Sequence, residues 1–449
     1  MGLTKIKKGL NVPIAGEPEQ VVADGQAVSS VAVLGPDYIG MKPTMQVAVG
    51  DSVKLGQVLF TDKKMPEVKY TAPGAGKVVA INRGHKRALL SVVIQLKGDD
   101  QVMFQAYEPA KISQLDAEAI KQQLIDSGQW VALRARPFGK VANPQTAPQA
   151  IFINAMDTNP LAPSMELVLK DKDKEFEAGV NLLTKLTEGK VYLCKPPGMR
   201  ISGGGIKNVM VEEFSGPHPA GLSGTHIHFF HPVSRTKMVW TISARDVAAF
   251  GALFLTGKID VERTIALAGP SVQKPRLLKT RLGASTNNLT KGELKEGDTR
   301  VVSGSVLSGH HAQDAMAFLG RYHQQISALP EGGERKLFGW VTPRFDLFSI
   351  KNVVGSKFFP GKKFNFTTNI NGSLRPIIPS GNYEAVMPLD ILPTPLLRAL
   401  AIHDVEEAEK LGCYELVEED VALCTYVCPG KIDHGANLRE TLTIIEKEG

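Results

Sequence analysis

The stretch Val49-Gly-Asp-Ser-Val-Lys-Leu-Gly56-Gln-Val-Leu-Phe60, with Lys69-Tyr-Thr-Ala-Pro-Gly-Ala-Gly76-Lys-Val-Val-Ala-Ile81, decides how the first part of the chain folds. Its apolar residues form short segments of strand length, and Gly-Asp and Pro-Gly turns separate them. Short alternating segments between such turns are typical of β-strands joined by tight turns. Residues 31–100 are therefore expected to form a small all-β unit.

This pattern resembles the barrel-sandwich domains of the biotinyl/lipoyl type. Carriers of that fold attach their cofactor to a lysine at a hairpin tip, and Lys63 and Lys64 fall near that place. Their neighbours are not the Met-Lys-Met or Asp-Lys-Ala that an attaching ligase reads. An unmodified scaffold is the expectation, and a cofactor carrier is the alternative.

The apolar period changes from about residue 112. Asp116–Gly128 has helical apolar spacing and a glycine at its end. Beyond it, strand-like and helix-like segments alternate, which indicates an α/β layer with a mostly parallel sheet. The expected strands are 150–153, 190–194, 209–213 and 238–242, and the expected helices are 176–186 and 244–255.

A second β-rich unit is expected to begin at Val261–Gly269 and to continue through 276–282 and 320–329. After about residue 383 the chain becomes helical, with Asp404 and Glu407 as a capping pair and Gly412 as a stop. The predicted domains are a barrel-sandwich region 1–105, a Rossmann-like α/β domain 106–257, a β-grasp-like domain 258–332, a β-rich extension 333–382 and a helical domain 383–449.

The helical domain contains half of an iron–sulfur motif, Glu418-Glu-Asp-Val421-Ala-Leu-Cys424-Thr-Tyr-Val-Cys428-Pro429. A ferredoxin-type run needs Cys-x2-Cys-x2-Cys-x3-Cys-Pro. Cys424 and Cys428 keep the last spacing, whereas Val421 and Glu418 occupy the two earlier positions. Valine has no ligand atom and a carboxylate is a hard substitute for thiolate. The chain therefore looks like a redox-protein scaffold that no longer holds its cluster.

Composition narrows the class of protein. The 449 residues are 43% hydrophobic and 22% charged, with a formal net charge of +6, so an ordinary globular protein with several domains is expected. No basic stripe with interleaved aromatic residues indicates nucleic-acid binding, and the longest apolar run, Val247–Thr256, is too short for a membrane span. Four cysteines and no signal-peptide pattern predict a reducing, cytoplasmic location. No hydrolase, kinase or zinc motif is present, so neither a catalytic residue nor a metal site is expected.

The order of these units resembles the flavin/NADH-binding subunits of respiratory complexes, such as the C subunit of the Rnf complex and the flavin subunit of complex I. It is much more similar to the A subunits of the Na+-translocating NADH:quinone reductases. That resemblance also implies that the β-grasp-like unit is an SLBB domain. The segments that carry it are Lys7–Gly16, Asn154–Pro160, Gly216–His228, Val302–Gly309, Gly381–Pro388 and Leu423–Lys431.

The flavin-binding relatives are expected to have a glycine-rich phosphate loop after the first helix of the α/β layer. The equivalent stretch here is Gln129-Trp-Val-Ala-Leu-Arg134-Ala-Arg136-Pro-Phe138-Gly-Lys140. It has one glycine, bulky side chains and a proline without an N–H group. The flavin loop and the cluster cage are therefore both expected to be lost.

Three groups of residues are candidates for binding quinone or for docking a partner. The first, in place of the flavin loop, comprises Trp130, Arg134, Arg136 and Phe138, with aromatic faces and guanidinium donors. The second is His226 and His228, which would share a face if they lie on a strand. A turn with histidines bound to backbone is the alternative. The third is Tyr38 with Met41, for which an ordinary core position is the alternative.

The resemblance implies a peripheral subunit on the cytoplasmic face of the bacterial inner membrane. The complex moves electrons from NADH to ubiquinone and exports Na+, and FMN, FAD, riboflavin and iron–sulfur centres are expected on the partner subunits, B to F. This chain is expected to bind no cofactor of its own, to dock most directly on the membrane-embedded B subunit, and to take part in quinone reduction with ubiquinone as a candidate ligand. A purely structural subunit needed for assembly is the alternative.

Overall fold

The computed structural model describes residues 2–333 and 343–448. It confirms the expected α/β multidomain class, with a barrel-sandwich domain, an α/β domain, a β-grasp-like domain and a helical C-terminal domain. Two strands, β1 (Leu3–Lys5) and β2 (Glu19–Asp24), precede the first domain and pair with strands of the two later ones.

The barrel-sandwich domain has two small antiparallel sheets, ordered β3-β9-β8-β5 and β4-β6-β7. Their inward-facing residues, such as Val31, Phe60 and Tyr70, form part of one large hydrophobic cluster. Lys63 and Lys64 are exposed in the turn after β6. The strands are β3 (Ser30–Leu34), β4 (Pro43–Met45), β5 (Ser52–Val53), β6 (Val58–Asp62), β7 (Lys69–Thr71), β8 (Gly76–Arg83) and β9 (Leu89–Leu96).

The α/β domain contains the predicted helices and strands within a few residues of their expected bounds. Its elements are α1 (Pro109–Ile112), α2 (Ala117–Asp126), β10 (Arg134–Arg136), β11 (Lys140–Val141), β12 (Ala150–Asn154), α3 (Met165–Val168), α4 (Asp173–Leu183), β13 (Lys190–Lys195), β14 (Val209–Ser215), α5 (Ser223–Phe230), β15 (Val239–Ser243) and α6 (Ala244–Thr256).

The sheet of this domain has the order β1-β14-β13-β12-β15-β10-β11. Strands β1, β14, β13, β12 and β15 are parallel, and the β10–β11 hairpin adds an antiparallel edge. Helices α4 and α6 pack closely because glycines lie at their contact. A Cβ on Gly179 would overlap the Val247 carbonyl, and one on Gly251 would overlap the Glu175 carbonyl.

The β-grasp-like domain has a mixed sheet, ordered β19-β18-β20-β16-β17-β2. The Ser285 hydroxyl accepts the N–H of Asn288 and so begins a short α-helix in this domain. Its elements are β16 (Glu262–Ala268), β17 (Arg276–Arg281), α7 (Thr286–Thr290), β18 (Thr299–Ser303), β19 (His310–His311) and β20 (Gln325–Pro330).

The region 333–382 was expected to be β-rich, and for its described part that expectation is wrong. Residues 343–381 contain one 3-10 turn, Gly355–Phe358, and no strand, although Phe364 forms a single bridge with Ile14. Residues 334–342 of the same expected extension lie outside the described residues.

The C-terminal domain is helical, as predicted, and its described residues up to 448 form five α-helices. The Asp404 carboxylate accepts the N–H of Glu407 at 3.1 Å and so caps α10. The apolar faces of these C-terminal helices, including Val421, Leu438 and Leu442, form a second hydrophobic cluster. The helices are α8 (Asn382–Val386), α9 (Pro393–Ala401), α10 (Val405–Lys410), α11 (Glu418–Val427) and α12 (His434–Glu448).

Candidate functional site

The stretch Gln129–Lys140, which was compared with a flavin loop in the sequence, forms a 3-10 turn, Gln129–Ala132, followed by the β10–β11 hairpin. Trp130 is fully buried in this turn, and its indole N–H donates to the Ala142 carbonyl at 2.8 Å. Its ring packs edge-on against Trp240 at a centroid distance of 5.4 Å. Trp130 is therefore a core residue whose faces are already covered, and it offers no surface to an incoming ring.

Arg136 joins the α/β domain to the helical domain. Its Nη1 donates to Asp420 Oδ2 at 2.6 Å and to the Glu415 carbonyl at 3.2 Å, while Nη2 contacts Glu419 Oε1 at 3.1 Å. The arginine and Asp420 side chains are each 3% exposed. Coulombic attraction to Asp420 and Glu419 outweighs burial and raises the pKa of Arg136. The Arg136 guanidinium group is therefore engaged in contacts within the chain.

Arg134 and Phe138 flank the same link. The Arg134 guanidinium lies 4.7 Å above the Tyr322 ring and 3.8 Å from the Glu419 carboxylate, with 28% of its side chain exposed. Phe138 meets Tyr414 edge-on at 6.2 Å, and Arg439 donates to the Phe138 carbonyl at 2.9 Å. Of the four candidates in the loop, Arg134 retains the cationic face nearest to solvent.

His226 and His228 would share a face on a strand, but the structure places them on a helix. Both lie on α5, where residues two apart project to nearly opposite sides. His226 is fully buried, and its Nε2 lies 2.9 Å from the Ala220 carbonyl. Burial lowers the pKa of His226 to about 4, so the ring is neutral at physiological pH and donates from Nε2 to that carbonyl.

His228 is bound at both ring nitrogens. Its Nε2 accepts the backbone N–H of Asp390 at 2.9 Å, so Nδ1 carries the proton donated to Glu415 Oε2 at 2.7 Å. This histidine links α5 to the helical domain. The two candidate histidines thus serve separate contacts inside the chain.

Tyr38 and Met41 lie where the barrel-sandwich, α/β and β-grasp-like domains meet. The Tyr38 ring is buried between Tyr70, at 4.6 Å, and Tyr322, at 6.3 Å. Met41 is half-buried and packs against the same cluster. The adjacent cavity offers about 30 Å³, which is room for a water molecule but not for a quinone ring.

A buried ionic cluster at this junction was missing from the sequence predictions. The Asp246 carboxylate forms ion pairs with the guanidinium nitrogens of three arginines, at 2.9 Å for Arg321, 3.4 Å for Arg263 and 3.7 Å for Arg245. Burial opposes its ionisation, but the three guanidinium groups outweigh burial and lower the pKa of Asp246 to about 2. The signal in the sequence was Arg245-Asp246 at the start of an otherwise apolar helix.

Asp37 is a second buried carboxyl group at the junction. It accepts the backbone N–H of Arg321 at 2.7 Å. Burial raises its pKa to about 6, because this bond and the charges of Arg321 and Arg134 offset only part of the desolvation. Together with Asp246, it ties the barrel-sandwich and α/β domains to the β-grasp-like domain.

The four positions of the incomplete cluster motif have structural partners. Glu418 accepts Arg439 through both carboxylate oxygens, at 2.6 and 2.7 Å, and Val421 is fully buried in the helical core. Cys424 and Cys428 are buried, and the Tyr383 hydroxyl donates to Cys428 Sγ at 3.0 Å. Burial raises the pKa of the Cys424 thiol to about 12. Within residues 2–333 and 343–448, no group of three or more His, Cys, Asp or Glu side chains is arranged to hold a metal ion.

Among the described residues, the longest helix is α12, with 15 residues. In the part of the chain that the structure describes, no helix combines the length and apolar character needed to cross a bilayer.

Three family models match the chain over most of its length. They are the NqrA N-terminal barrel-sandwich hybrid domain at residues 4–97, the NqrA second alpha/beta domain at 115–259 and the NQRA C-terminal (SLBB) domain at 264–314. Each coincides with the corresponding unit of the fold, and together they confirm the predicted fold class.

Full-length relatives agree with these matches. The chain is 53% identical over 447 residues to the A subunit of the Na(+)-translocating NADH-quinone reductase of Neisseria gonorrhoeae, covering 100% of both chains. It is 54% identical over 444 residues to the A subunit of the Vibrio alginolyticus enzyme, covering 99% of both. It is 52% identical over 448 residues to that of Alcanivorax borkumensis, covering 100% of both. The chain therefore belongs to the family of Na(+)-translocating NADH-quinone reductase A subunits.

Proposed function

We propose that this chain is a peripheral subunit of a Na+-translocating NADH:quinone reductase at the cytoplasmic face of the bacterial inner membrane. The observation that carries the proposal is identity above 50% along the whole length of relatives that have this name. The complex would transfer electrons from NADH to ubiquinone and export Na+. The membrane-embedded B subunit would be the most direct partner, and the partner subunits, B to F, would hold the flavins and iron–sulfur centres.

Within that complex, we propose that the chain holds no flavin and no cluster. The hairpin in place of the flavin loop is bound to Asp420 and Glu419 through Arg136. At the positions of the incomplete cluster motif on α11, Glu418 forms an ion pair with Arg439 and Val421 is buried. A flavin phosphate or a cubane would have to displace these contacts, which supports a cofactor-free role.

A docking or assembly role is the better supported contribution of the chain itself. Trp130, Arg136, His226 and His228 are all engaged in internal contacts, and the cavity beside Tyr38 is too small for a quinone. One observation favours a quinone contact as the second candidate. Arg134 places a partly exposed guanidinium over the Tyr322 ring, at the edge of the three-domain junction.

The membership proposal is tested by producing the complex with and without this chain. Inverted membrane vesicles from cells that lack it should lose both quinone reduction by NADH and Na+ uptake, and expression of the chain should restore both. Full activity in its absence would contradict the proposal.

Equilibrium binding of a ubiquinone analogue to the isolated chain separates the two contributions. For a purely structural subunit we expect no saturable binding. Saturable binding that weakens in Arg134→Met, but not in the exposed control Arg87→Met, would instead identify the chain as a quinone-binding subunit.

A further inference from the structure

The chain's positive charge and its exposed apolar side chains are concentrated in residues 343–380. This segment contains six Lys and Arg residues and one Asp, a net charge of +5, whereas the whole chain has +6. It also contains six of the 18 phenylalanines. Seven of the sixteen large apolar side chains that are exposed among the described residues belong to it. Large apolar side chains exposed together mark an interaction surface.

The phenylalanines of this segment fall into an inward and an outward set. Phe364 is 6% exposed and stacks on Phe366, whose ring meets Tyr426 of α11 edge-on at 6.2 Å. Phe358 and Phe359, in contrast, are 71% and 56% exposed. The inward set holds the segment on the protein. The outward rings are therefore exposed even though the segment has a packed side.

The loop that carries the outward rings, residues 344–363, is fixed on the protein at its C-terminal end. Phe364 donates its backbone N–H to the Pro13 carbonyl at 2.8 Å and accepts the N–H of Ala15 at 2.9 Å. Across the loop, Lys362 Nζ donates to the Phe345 carbonyl at 2.9 Å, and the Phe345 and Phe359 rings meet at 6.1 Å. A partner would therefore meet a preorganised surface, which lowers the entropy cost of binding.

Lysines surround the outward rings. Lys351, Lys357 and Lys362 are exposed, and Lys357 Nζ lies 5.2 Å from the centre of the Phe358 ring. Apolar rings within a rim of positive charge are complementary to an apolar pocket bordered by carboxylates.

We propose that the 344–363 loop docks on an acidic protein surface with an apolar pocket, with Phe358 and Phe359 as its anchors. This inference rests on the proposed function, because the partner would be a membrane-bound subunit of the same complex. A protein fits better than lipid because the described part of this loop forms no strand or helix apart from one 3-10 turn. Backbone groups without partners are costly in hydrocarbon, whereas another protein can bind them.

The test uses complexes purified through an affinity tag on a membrane-embedded partner. Phe358→Ser/Phe359→Ser should weaken retention of the chain at least about ten-fold, the size expected for losing interface anchors. The matched control is Met103→Ser/Ile402→Ser, which changes two apolar residues that are 57% and 74% exposed elsewhere. Both variants should unfold at the wild-type temperature, because their side chains lie at the surface.

Charge reversal tests the acidic character of the partner. Lys351→Glu/Lys357→Glu should also weaken retention, and Lys54→Glu/Lys97→Glu, which alters exposed lysines of the barrel-sandwich domain, should not. The loss should be largest at low salt, where charges are least screened.

The outcomes separate this inference from the proposed function. If the wild-type chain does not co-purify with the membrane subunits, the proposed function fails. If it co-purifies and Phe358→Ser/Phe359→Ser is retained like its control, the docking inference alone is overturned. The isolated chain is also mixed with vesicles of phosphatidylglycerol and phosphatidylethanolamine. Sedimentation that depends on Phe358 and Phe359 would assign the loop to lipid and overturn the protein partner.

Discussion

Asp246 is the residue on which the three-domain junction depends most. Its single carboxylate lies among the buried guanidinium groups of Arg245, Arg263 and Arg321. Three buried cations are tolerated only while an anion compensates for part of their charge. Removing one member of a buried ionic group therefore costs far more than removing an exposed pair.

Asp246→Asn should lower the free energy of unfolding by about 3–5 kcal/mol, because it leaves the guanidinium groups without their anion. The folded pKa of about 2 lies below the ordinary value of 3.8. The stabilisation is therefore fully present above pH 3.8 and is lost as pH falls towards 2. Urea unfolding at pH 7 measures the difference, with the exposed Glu296→Gln as control. Equal stability of the two variants would contradict the assignment.

The histidines show where residue-level prediction from the sequence failed. His226-Ile-His228 has the alternation of a half-buried strand, yet the segment Ser223–Phe230 forms α5, whose residues Ile227 and Phe230 pack in the hydrophobic cluster on the sheet. The spacing alone does not distinguish the two structures over three residues. Likewise, the sequence placed Arg136 among candidate ligand-binding residues, but its partners Glu419 and Asp420 are more than 280 residues away along the chain.

At the scale of elements, the incomplete cluster motif was correctly expected to lie in the helical domain, where Cys424 and Cys428 are buried. What the spacing could not show is that the positions from 418 to 427 form a continuous helix, α11. At about 1.5 Å per residue, positions 418 and 428 are separated by roughly 15 Å along the axis. Four ligands along such a line cannot surround one cubane unless the helix unwinds.

The double change Glu418→Cys/Val421→Cys restores all four cysteines of the motif and tests whether the helix prevents cluster binding. We expect the variant to remain colourless after anaerobic incubation with iron and sulfide, because α11 and its C-cap residue Cys428 hold the four sulfurs in a row. Iron analysis and visible absorbance provide the measurement. Stoichiometric iron in the variant, with none in Glu418→Cys alone, would show that the helix opens readily.

The expected β-rich extension, residues 333–382, shows a strand-like sequence pattern that forms no strand in its described part. Phe364-Asn-Phe366 alternates like a strand, and the Phe364 bridge to Ile14 is a strand-like contact. No second bridge follows within the described residues 365–381, and Pro360-Gly361 interrupts the preceding residues. Pairing needs a neighbouring strand, which a local pattern does not reveal.

At the scale of the whole molecule, periodicity in the sequence was sufficient to predict a β-rich, an α/β, a second β-rich and a helical unit. The resemblance to known families supplied the barrel-sandwich and β-grasp-like folds, but neither source showed how the domains are joined. The domains are held together by contacts between residues that are distant in sequence, such as Arg136 with Asp420, Asp37 with Arg321 and His228 with Glu415. Single charged residues within otherwise ordinary segments provide them, and nothing local marks their partners.

Arg136→Met is expected to loosen the helical domain from the α/β domain. The change leaves Asp420 buried without its cation, which costs about 3–5 kcal/mol. Limited proteolysis should then release the helical domain earlier than in wild type. Arg134→Met is the matched control, because Arg134 is 28% exposed and 3.8 Å from Glu419. Identical digestion of the two variants would mean that the Arg136 link does not hold the domains together.

The N-terminal strands have a consequence for synthesis on the ribosome. Strand β1 lies beside Glu213–Ser215, and β2 lies beside β17, which ends at Arg281. The last strand of the barrel-sandwich domain ends at Leu96, so the peptide before the domain must wait for its partner strands, which are complete about 120 residues later for β1 and about 185 residues later for β2. Nascent chains arrested before residue 213 should therefore expose their first 24 residues to protease, whereas chains released at full length should protect them.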